Sequence, residues 1–361
     1  MFIYNIIKRY WLFTLLVIPV IGCSNQSSEN NATKYLVEGE KHLTNLKMLT
    51  AAGENAEAYL SFDEQKLIYQ ATKENMTCDQ EFVMNIDGSA NRMVSTGKGR
   101  TTCGYFLPGD STILYASTHL ADENCPPPPD MSKGYVWKLY PSYDIFLAHL
   151  DGTIIKRLTD TPGYDAEGTV SPLGNKIVFT SLRDGDPEIY TMNLDGSDQT
   201  RLTFKKGYDG GPFFSWDGKK IVFRASRPQT EKEHADYDDL VENGLVRPTV
   251  LEIYVMDADG KNITQVTHLG KASFAPFFHP DGKRIIFSSN AQSKNPRNFD
   301  LYIINVDGTG LERITYNETF DGFPIFTHDG TKLIFCSNRF NHKQGDTNVF
   351  VADWIDYYWA E

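Results

Sequence analysis

Ser215-Trp216-Asp217-Gly218-Lys219-Lys220-Ile221-Val222-Phe223 reads as a tight turn feeding a β-branched strand, and the chain repeats it. Ser171 to Phe179, His279 to Phe287 and Thr327 to Phe335 are close copies; weaker ones lie at Ser61 to Tyr69 and Leu107 to Tyr115. The apolar centres are Ile68, Leu114, Val178, Val222, Ile286 and Ile334, spaced by 46, 64, 44, 64 and 48 residues. The unit is therefore about 45 residues, with two insertions. Around the quoted stretch each unit has one plan. A short strand leads into the turn, and a second and third strand follow, as in Glu188-Ile189-Tyr190-Thr191-Met192. An Asp-Gly turn comes next (Asp87-Gly88, Asp151-Gly152, Asp195-Gly196, Asp259-Gly260, Asp307-Gly308), then a strand carrying Arg157-Leu158-Thr159, Arg201-Leu202-Thr203 or Arg313-Ile314-Thr315. Asp-Gly between apolar runs marks a hairpin, because glycine accepts the positive φ the turn needs. Four antiparallel strands per unit, six times, predict an all-β, six-bladed β-propeller.

The ends of the repeat predict how the ring closes. The sixth unit stops after its third strand, Asn348 to Asp353. The missing strand stands at the other end, where Lys47-Met48-Leu49-Thr50 matches Lys156-Arg157-Leu158-Thr159, and Gly53 to Glu57 matches Gly163 to Glu167. Residues near 43–50 should complete the last blade and remove the exposed sheet edges. The Pro-Asp-Gly-Lys-like turn, the Ile-Tyr-x-Met-Asn-x-Asp-Gly strand and the Arg-Leu-Thr strand resemble the repeats of the TolB-type, WD-repeat-like propeller family over roughly residues 43–353. The resemblance implies the fold. The family's namesake carries a further α/β domain, for which the roughly 20 residues between Cys23 and the first strand leave no room.

Lys8-Arg9, the apolar run Tyr10 to Ile21 and Gly22-Cys23 have the layout of a lipoprotein signal, with Cys23 as the lipidated mature terminus. The expected organisation is a signal peptide over 1–22, lipidated Cys23 and a flexible tether over 23–42, the propeller over 43–354 and a tail over 355–361. Ser24 after the cysteine resembles the pattern of outer-membrane lipoproteins, which implies a cell-envelope protein facing the periplasm or the surface. The formal charge is −12; removal of Lys8 and Arg9 leaves 33 basic and 47 acidic residues, or −14. So acidic a chain excludes nucleic acid as a partner and contacts the membrane through its anchor. Exported cysteines meet an oxidising compartment, so a disulfide among Cys78, Cys103 and Cys125 is expected, while Cys336 reads as a buried thiol.

Aligned units place residues around one mouth of the central channel. The ring position holds Asn55, Thr101, Asp165, Asp209, Ser273 and Asp321. The residue before it is Glu54, Arg100, Tyr164, Tyr208, Ala272 or Phe320, and two after it stand Glu57, Cys103, Glu167, Gly211, Ala275 and Phe323. Lys73, His119, Arg183, Arg227, Ala291 and Arg339 follow the second strands on the same face. One reading is a ligand funnel in which carboxylates and arginines meet polar groups while Tyr164, Tyr208 and Phe320 stack. The competing reading is that the acids and arginines pair and fasten adjacent blades. Residues that break the pattern, Arg100, His119, Ser273 and Asn290, then mark the recognition site. The insertions His119 to Ser142 and Pro228 to Thr249 leave from the same face, the second with a capping box at Thr230 and a charged helix over Glu231 to Glu242. No G-x-S-x-G or H-E-x-x-H is present. The expected role is a non-catalytic scaffold, without a cofactor, for an envelope or periplasmic protein or a glycan. The alternative is a polysaccharide lyase or hydrolase with a calcium-like cation at Asp165, Glu167, Asp209 and Asp321.

Overall fold

The computed structural model describes residues 34–341 and 343–357. The signal segment, Cys23 and residues 358–361 lie outside the described residues. Six four-stranded antiparallel sheets follow one another around a ring. Blade 3 shows the unit: Asp165–Val170 lines the channel, Ile177–Ser181 and Glu188–Met192 lie outward, and Thr200–Arg201 is the outer edge. The first strands of the other blades are Glu54–Leu60, Thr101–Phe106, Asp209–Phe214, Ser273–Phe278 and Asp321–Phe326.

Leu43–Met48 pairs antiparallel with Asn348–Trp354, so the last blade is built from both ends of the described chain, as expected. The Arg-Leu-Thr motif explains why this closure registers. In every blade the second residue of the third strand, or its equivalent, donates its N–H to the motif hydroxyl: Glu81 to Ser95, Ile145 to Thr159, Ile189 to Thr203, Ile253 to Thr267 and Leu301 to Thr315. The sixth copy, Val349 N–H to Thr50 Oγ1 at 3.0 Å, joins residues 299 positions apart. The Asp-Gly turns do more than reverse the chain. A Cβ on Gly196 would lie 2.8 Å from the Leu158 carbonyl oxygen of the preceding blade, and one on Gly260 2.9 Å from that of Leu202. Glycine is needed there for close approach between blades as well as for φ.

Aromatic pairs from the second and third strands stack within five blades: Tyr69–Phe82, Phe179–Tyr190, Phe223–Tyr254, Phe287–Tyr302 and Phe335–Phe350, with ring centroids 5.7 to 6.0 Å apart. With the β-branched residues beside them, the pairs of blades 1, 5 and 6 belong to one large core cluster, and those of blades 3 and 4 to smaller clusters of their own.

Residues 34–42 correct the expected boundary of the tether, because they are folded onto blades 5 and 6. The Glu40 side chain is fully buried and holds Arg339 at 2.8 Å. His42 stacks on Trp354 with centroids 4.7 Å apart. At the other end Asp356 pairs with Arg284, so part of the expected tail is also fixed.

Replacing Thr50 or Thr203 by valine removes one acceptor from a buried N–H, which costs about 1–3 kcal/mol. Equal losses for the two variants in urea melts are expected if the closure joint is energetically like an internal one; a much larger loss for Thr50→Val would show that closure is the weak point.

Candidate functional site

The residues after the second strands sit first on the scaffold. Lys73 Nζ lies 3.6 Å from the Phe82 centroid, Arg183 4.9 Å from Tyr190, Arg227 5.3 Å from Tyr254 and Arg339 5.1 Å from Phe335, while His119 packs on Phe146 at 4.5 Å. The basic residue therefore caps the aromatic pair in blades 1, 3, 4 and 6 and His119 covers Phe146 in blade 2, while blade 5 has Ala291 there. The same arginines hold the ring-position acids: Arg183–Asp165 at 3.0 Å, Arg227–Asp209 at 2.5 Å and Arg339–Asp321 at 2.8 Å.

A second acid from the preceding blade meets each of these three. Asp144 lies near Asp165 and binds Arg157 at 2.7 Å; Glu188 lies near Asp209 and binds Arg201 at 2.7 Å; Asp300 lies near Asp321 and binds Arg313 at 2.8 Å. Two arginines thus meet two acids at two of the six blade boundaries, and three acids, with Glu40, at a third. Where the arginines are missing, the acids largely are too: Gln80 and Thr101 stand between blades 1 and 2, Asn348 and Asn55 between blades 6 and 1. Between blades 4 and 5 the lone Glu252 accepts from Thr267 Oγ1 and the Gly270 N–H. The acids buried at these seams are each held by an arginine or by hydrogen-bond donors, as the cost of burying an unpartnered ion requires. Burial raises the Asp165 and Asp209 carboxyls above the usual range despite their arginines, and pushes Asp300 up to about 7 with help from Asp321 and Glu40.

The pattern-breaking residues are also tied to their surroundings. Arg100 pairs with Asp79 at 3.0 Å beside the Cys78–Cys125 disulfide. His119 Nδ1 meets Ser117 Oγ at 2.8 Å, Ser273 meets Ser289 at 3.0 Å, and Asn290 accepts from the Ala272 N–H. Cys103 and Cys336 are free and buried. The disulfide fastens the blade-2 insertion to blade 1, beside the Arg100–Asp79 pair at the same boundary.

Both insertions fold over the mouth that holds these residues. Trp137–Lys138 of blade 2 pairs antiparallel with Leu245–Val246 of blade 4, making a two-stranded lid. The helix α1 (Glu231–Glu242) has the expected capping box between Thr230 and Glu233. Arg247 clasps the two insertions together through Asp236 and the Lys133 carbonyl. Beneath the lid, Tyr164 and Tyr208 are 7 % and 2 % exposed, packed with Tyr140, Tyr143, Val246 and Phe274. Phe320 stacks on Phe274. The rings expected to line an open funnel are thus the floor of a closed lid.

Below them, one β-bulge recurs in all six first strands. Its residues, Glu57, Cys103, Glu167, Gly211, Ala275 and Phe323, all have φ between 49° and 58°. The bulge re-aims these side chains from the blade interface toward the axis. Glu167 accepts from Thr180 Oγ1 at 2.6 Å and the Gly211 N–H at 2.8 Å, and pairs with Arg224. Arg224 also donates to Tyr208 Oη at 2.8 Å and lies 5.2 Å from the Trp137 ring of the lid. A Cβ at 211 would stand 2.0 Å from an Arg224 nitrogen, so any larger residue there must push that side chain aside. Burial, opposed by the Cys103 thiol and reinforced by Glu167, holds the Glu57 carboxyl at about 7.

The next layer seals the axis from the other side. Tyr59 of blade 1 meets Phe213 of the opposite blade 4 with centroids 5.3 Å apart, and Tyr105 and Phe277 close on them at 5.5 and 5.4 Å. On the outer side of this plug is a cup of about 390 Å³, walled by Trp216, Phe277, Ile325, Phe326, Val170 and His328, with Phe62 at its rim. The sequence reading passed over this mouth, because each of its aromatic residues sits in a strand where core packing also calls for one. The signal was their alignment four residues after the ring position: Tyr59, Tyr105, Phe213 and Phe277.

The site is thus a propeller channel capped by its own insertions at one end and plugged by aromatic rings at the other. The chain belongs to the TolB β-propeller domain family, whose model matches residues 136–246 and 247–355. TolB from Acinetobacter baumannii is 19 % identical, with a TM-score of 0.54 over 74 % of this chain and 55 % of its own. The present chain therefore spans little more than half the length of that relative. A putative TolB from Agrobacterium tumefaciens is also 19 % identical, with a TM-score of 0.52 over 84 % of this chain and 91 % of its own. A hydrazine synthase from Kuenenia stuttgartiensis aligns at 14 % identity and 0.54, over 74 % of this chain and 39 % of its own. At these identities the likeness is one of fold. No curated protein sequence matches the chain.

Gly211→Ala should displace Arg224 from Glu167 and lower unfolding free energy by about 2–4 kcal/mol, since it strands a buried charge; a melt within error of the parent would show that Arg224 has room to move. The raised Glu57 pKa means that the folded protein holds this proton more tightly than the unfolded chain. Its contribution to stability is full below pH 4.5 and is lost as pH rises through about 7. Glu57→Gln should therefore gain on the parent by on the order of 1–3 kcal/mol between pH 5 and pH 8, with little of the difference present at pH 4. Parallel stability–pH curves for the two proteins would overturn this assignment.

Proposed function

We propose that the chain is a non-catalytic binding module of the cell envelope, anchored through lipid on Cys23, and that it docks an apolar side chain of a protein partner in the cup beside Trp216. One observation carries this reading: of the two channel mouths, the one the chain does not cover with its own insertions has an aromatic cup of about 390 Å³. An apolar pocket with a charged rim is the usual anatomy of a protein hot spot.

The hydrogen bonding of the cup favours protein over glycan. Trp216 Nε1 already donates to the Phe278 carbonyl at 3.0 Å, and Ser61 Oγ to Asp63 at 2.6 Å. Asp110 accepts from the Phe62 and Asp63 N–H groups, and Glu64 from that of His328. A sugar needs many such partners, whereas an aliphatic or aromatic side chain needs few.

The test is affinity capture from detergent-solubilised membranes, with proteins, glycans and metals measured in one sample. A protein partner retained by the parent and lost, at least tenfold, with Phe62→Glu supports the reading. Retention of every partner by that variant overturns it. Stoichiometric calcium with a bound oligosaccharide would instead favour the lyase or hydrolase, in which Asp165, Asp209 and Asp321 would exchange their arginines for metal.

A further inference from the structure

A cavity of about 610 Å³ lies away from the channel, between α1 and the loops of blade 3. The insertion that carries α1 is dispensable to the ring, since blade 4 has its four strands without it. The helix is nevertheless fixed in place: Tyr237 Oη donates to Asp186, and Lys206 of blade 3 pairs with Asp238 at 2.5 Å. What this placement creates is a groove.

Five carboxylates line it, Asp184, Asp186, Glu188, Asp238 and Glu242, against two bases, Arg201 and Lys206. Both bases are already engaged, Arg201 by Glu188 and Asp184 and Lys206 by Asp238. The groove also has an apolar side. Val241 and Leu182 form part of it, and Phe204 stands 71 % exposed with the Arg201 guanidinium over its ring at 4.7 Å. An exposed aromatic ring beside a lining with an excess of three carboxylates over bases is an apolar contact point in an acidic setting.

We propose that this groove is a second recognition surface, for a basic segment of a partner protein whose lysine or arginine side chains meet Glu242 and Asp184 and whose intervening apolar residue packs on Phe204. Charge complementarity selects this occupant. The net negative lining repels acidic segments and gives an anionic headgroup or phosphate no unpaired cation to bind, and an uncharged segment would leave its excess negative charge uncompensated. The cup is not needed for it.

The probe is an N-acetylated, fluorescently labelled Lys-Leu-Lys-Leu-Lys peptide titrated against the full chain at low salt by anisotropy. Saturable one-to-one binding is expected. Glu242→Lys should weaken it at least fivefold. That exposed residue closes the last turn of α1, where a positive charge suits the helix dipole and leaves folding intact. Phe204→Ala should weaken it several-fold with no change of charge. Glu38→Lys, an equal charge change on the exposed N-terminal segment, and Phe62→Glu in the cup should leave it unchanged. Equal loss from Glu242→Lys and Glu38→Lys would reduce the effect to net charge and overturn the proposal. So would unsaturable binding, or indifference to Phe204→Ala. Loss of membrane partners through Phe62→Glu alone, with peptide binding intact, would separate the two surfaces.

Discussion

A closed ring of sheets has no edge only if its two chain ends meet in register, and here that meeting depends on a hydroxyl. Thr50 takes the N–H of Val349 just as Thr159 takes that of Ile145. The bond aligns the first described strand on the last and lets the sixth blade repeat the geometry of the other five. All else is arranged around that closure: a fixed circumference sets the distance between neighbouring blades, and the seams must then be filled by whatever chemistry fits. Arginine–acid sets occupy three seams. Neutral amides and hydroxyls fill the ring positions of two, one of them reinforced by the Arg100–Asp79 pair and the Cys78–Cys125 disulfide, and a lone glutamate held by backbone and threonine occupies the last.

This explains why residues that read as a binding site in the sequence are tied into the ring by pairs of their own. Arg183, Arg227 and Arg339 each serve an aromatic pair and a carboxylate at once, so they are spent twice over before any ligand arrives. The reverse holds for the axis. There a left-handed bulge, carried by five residues other than glycine, costs roughly 1 kcal/mol per copy. Its recurrence in every blade shows that the ring as a whole imposes the geometry, and the side chains it carries are free to vary from Glu57 to Phe323.

How much was legible follows from the range of each interaction. The repeat, the turns, the capping box at Thr230 and the closing strand are local or periodic signals, and all were readable. The disulfide was narrowed to three cysteines because Cys78 and Cys125 occupy corresponding loops of adjacent blades. The lid was not readable. It rests on two-residue strands more than 100 positions apart, Trp137–Lys138 and Leu245–Val246, whose pairing no local pattern announces. The folding of residues 34–42 was missed for a similar reason, since Glu40 is polar and reads as tether until Arg339 appears beside it. The cup escaped notice because an aromatic residue facing a channel and one facing a core are the same letter in a strand.

The buried Glu40–Arg339 pair has a mechanical consequence. The N-terminal segment enters the ring through this pair and then runs as the outer strand of blade 6, hydrogen-bonded along its length to Asn348–Trp354. A pull on residue 34 is therefore taken up first by an ion pair shielded from water and next by several strand hydrogen bonds loaded together. The blade that joins the two ends of the ring is also its strain relief: a pull on the N-terminal segment is borne by blade 6 before it reaches the seams that hold the other five blades.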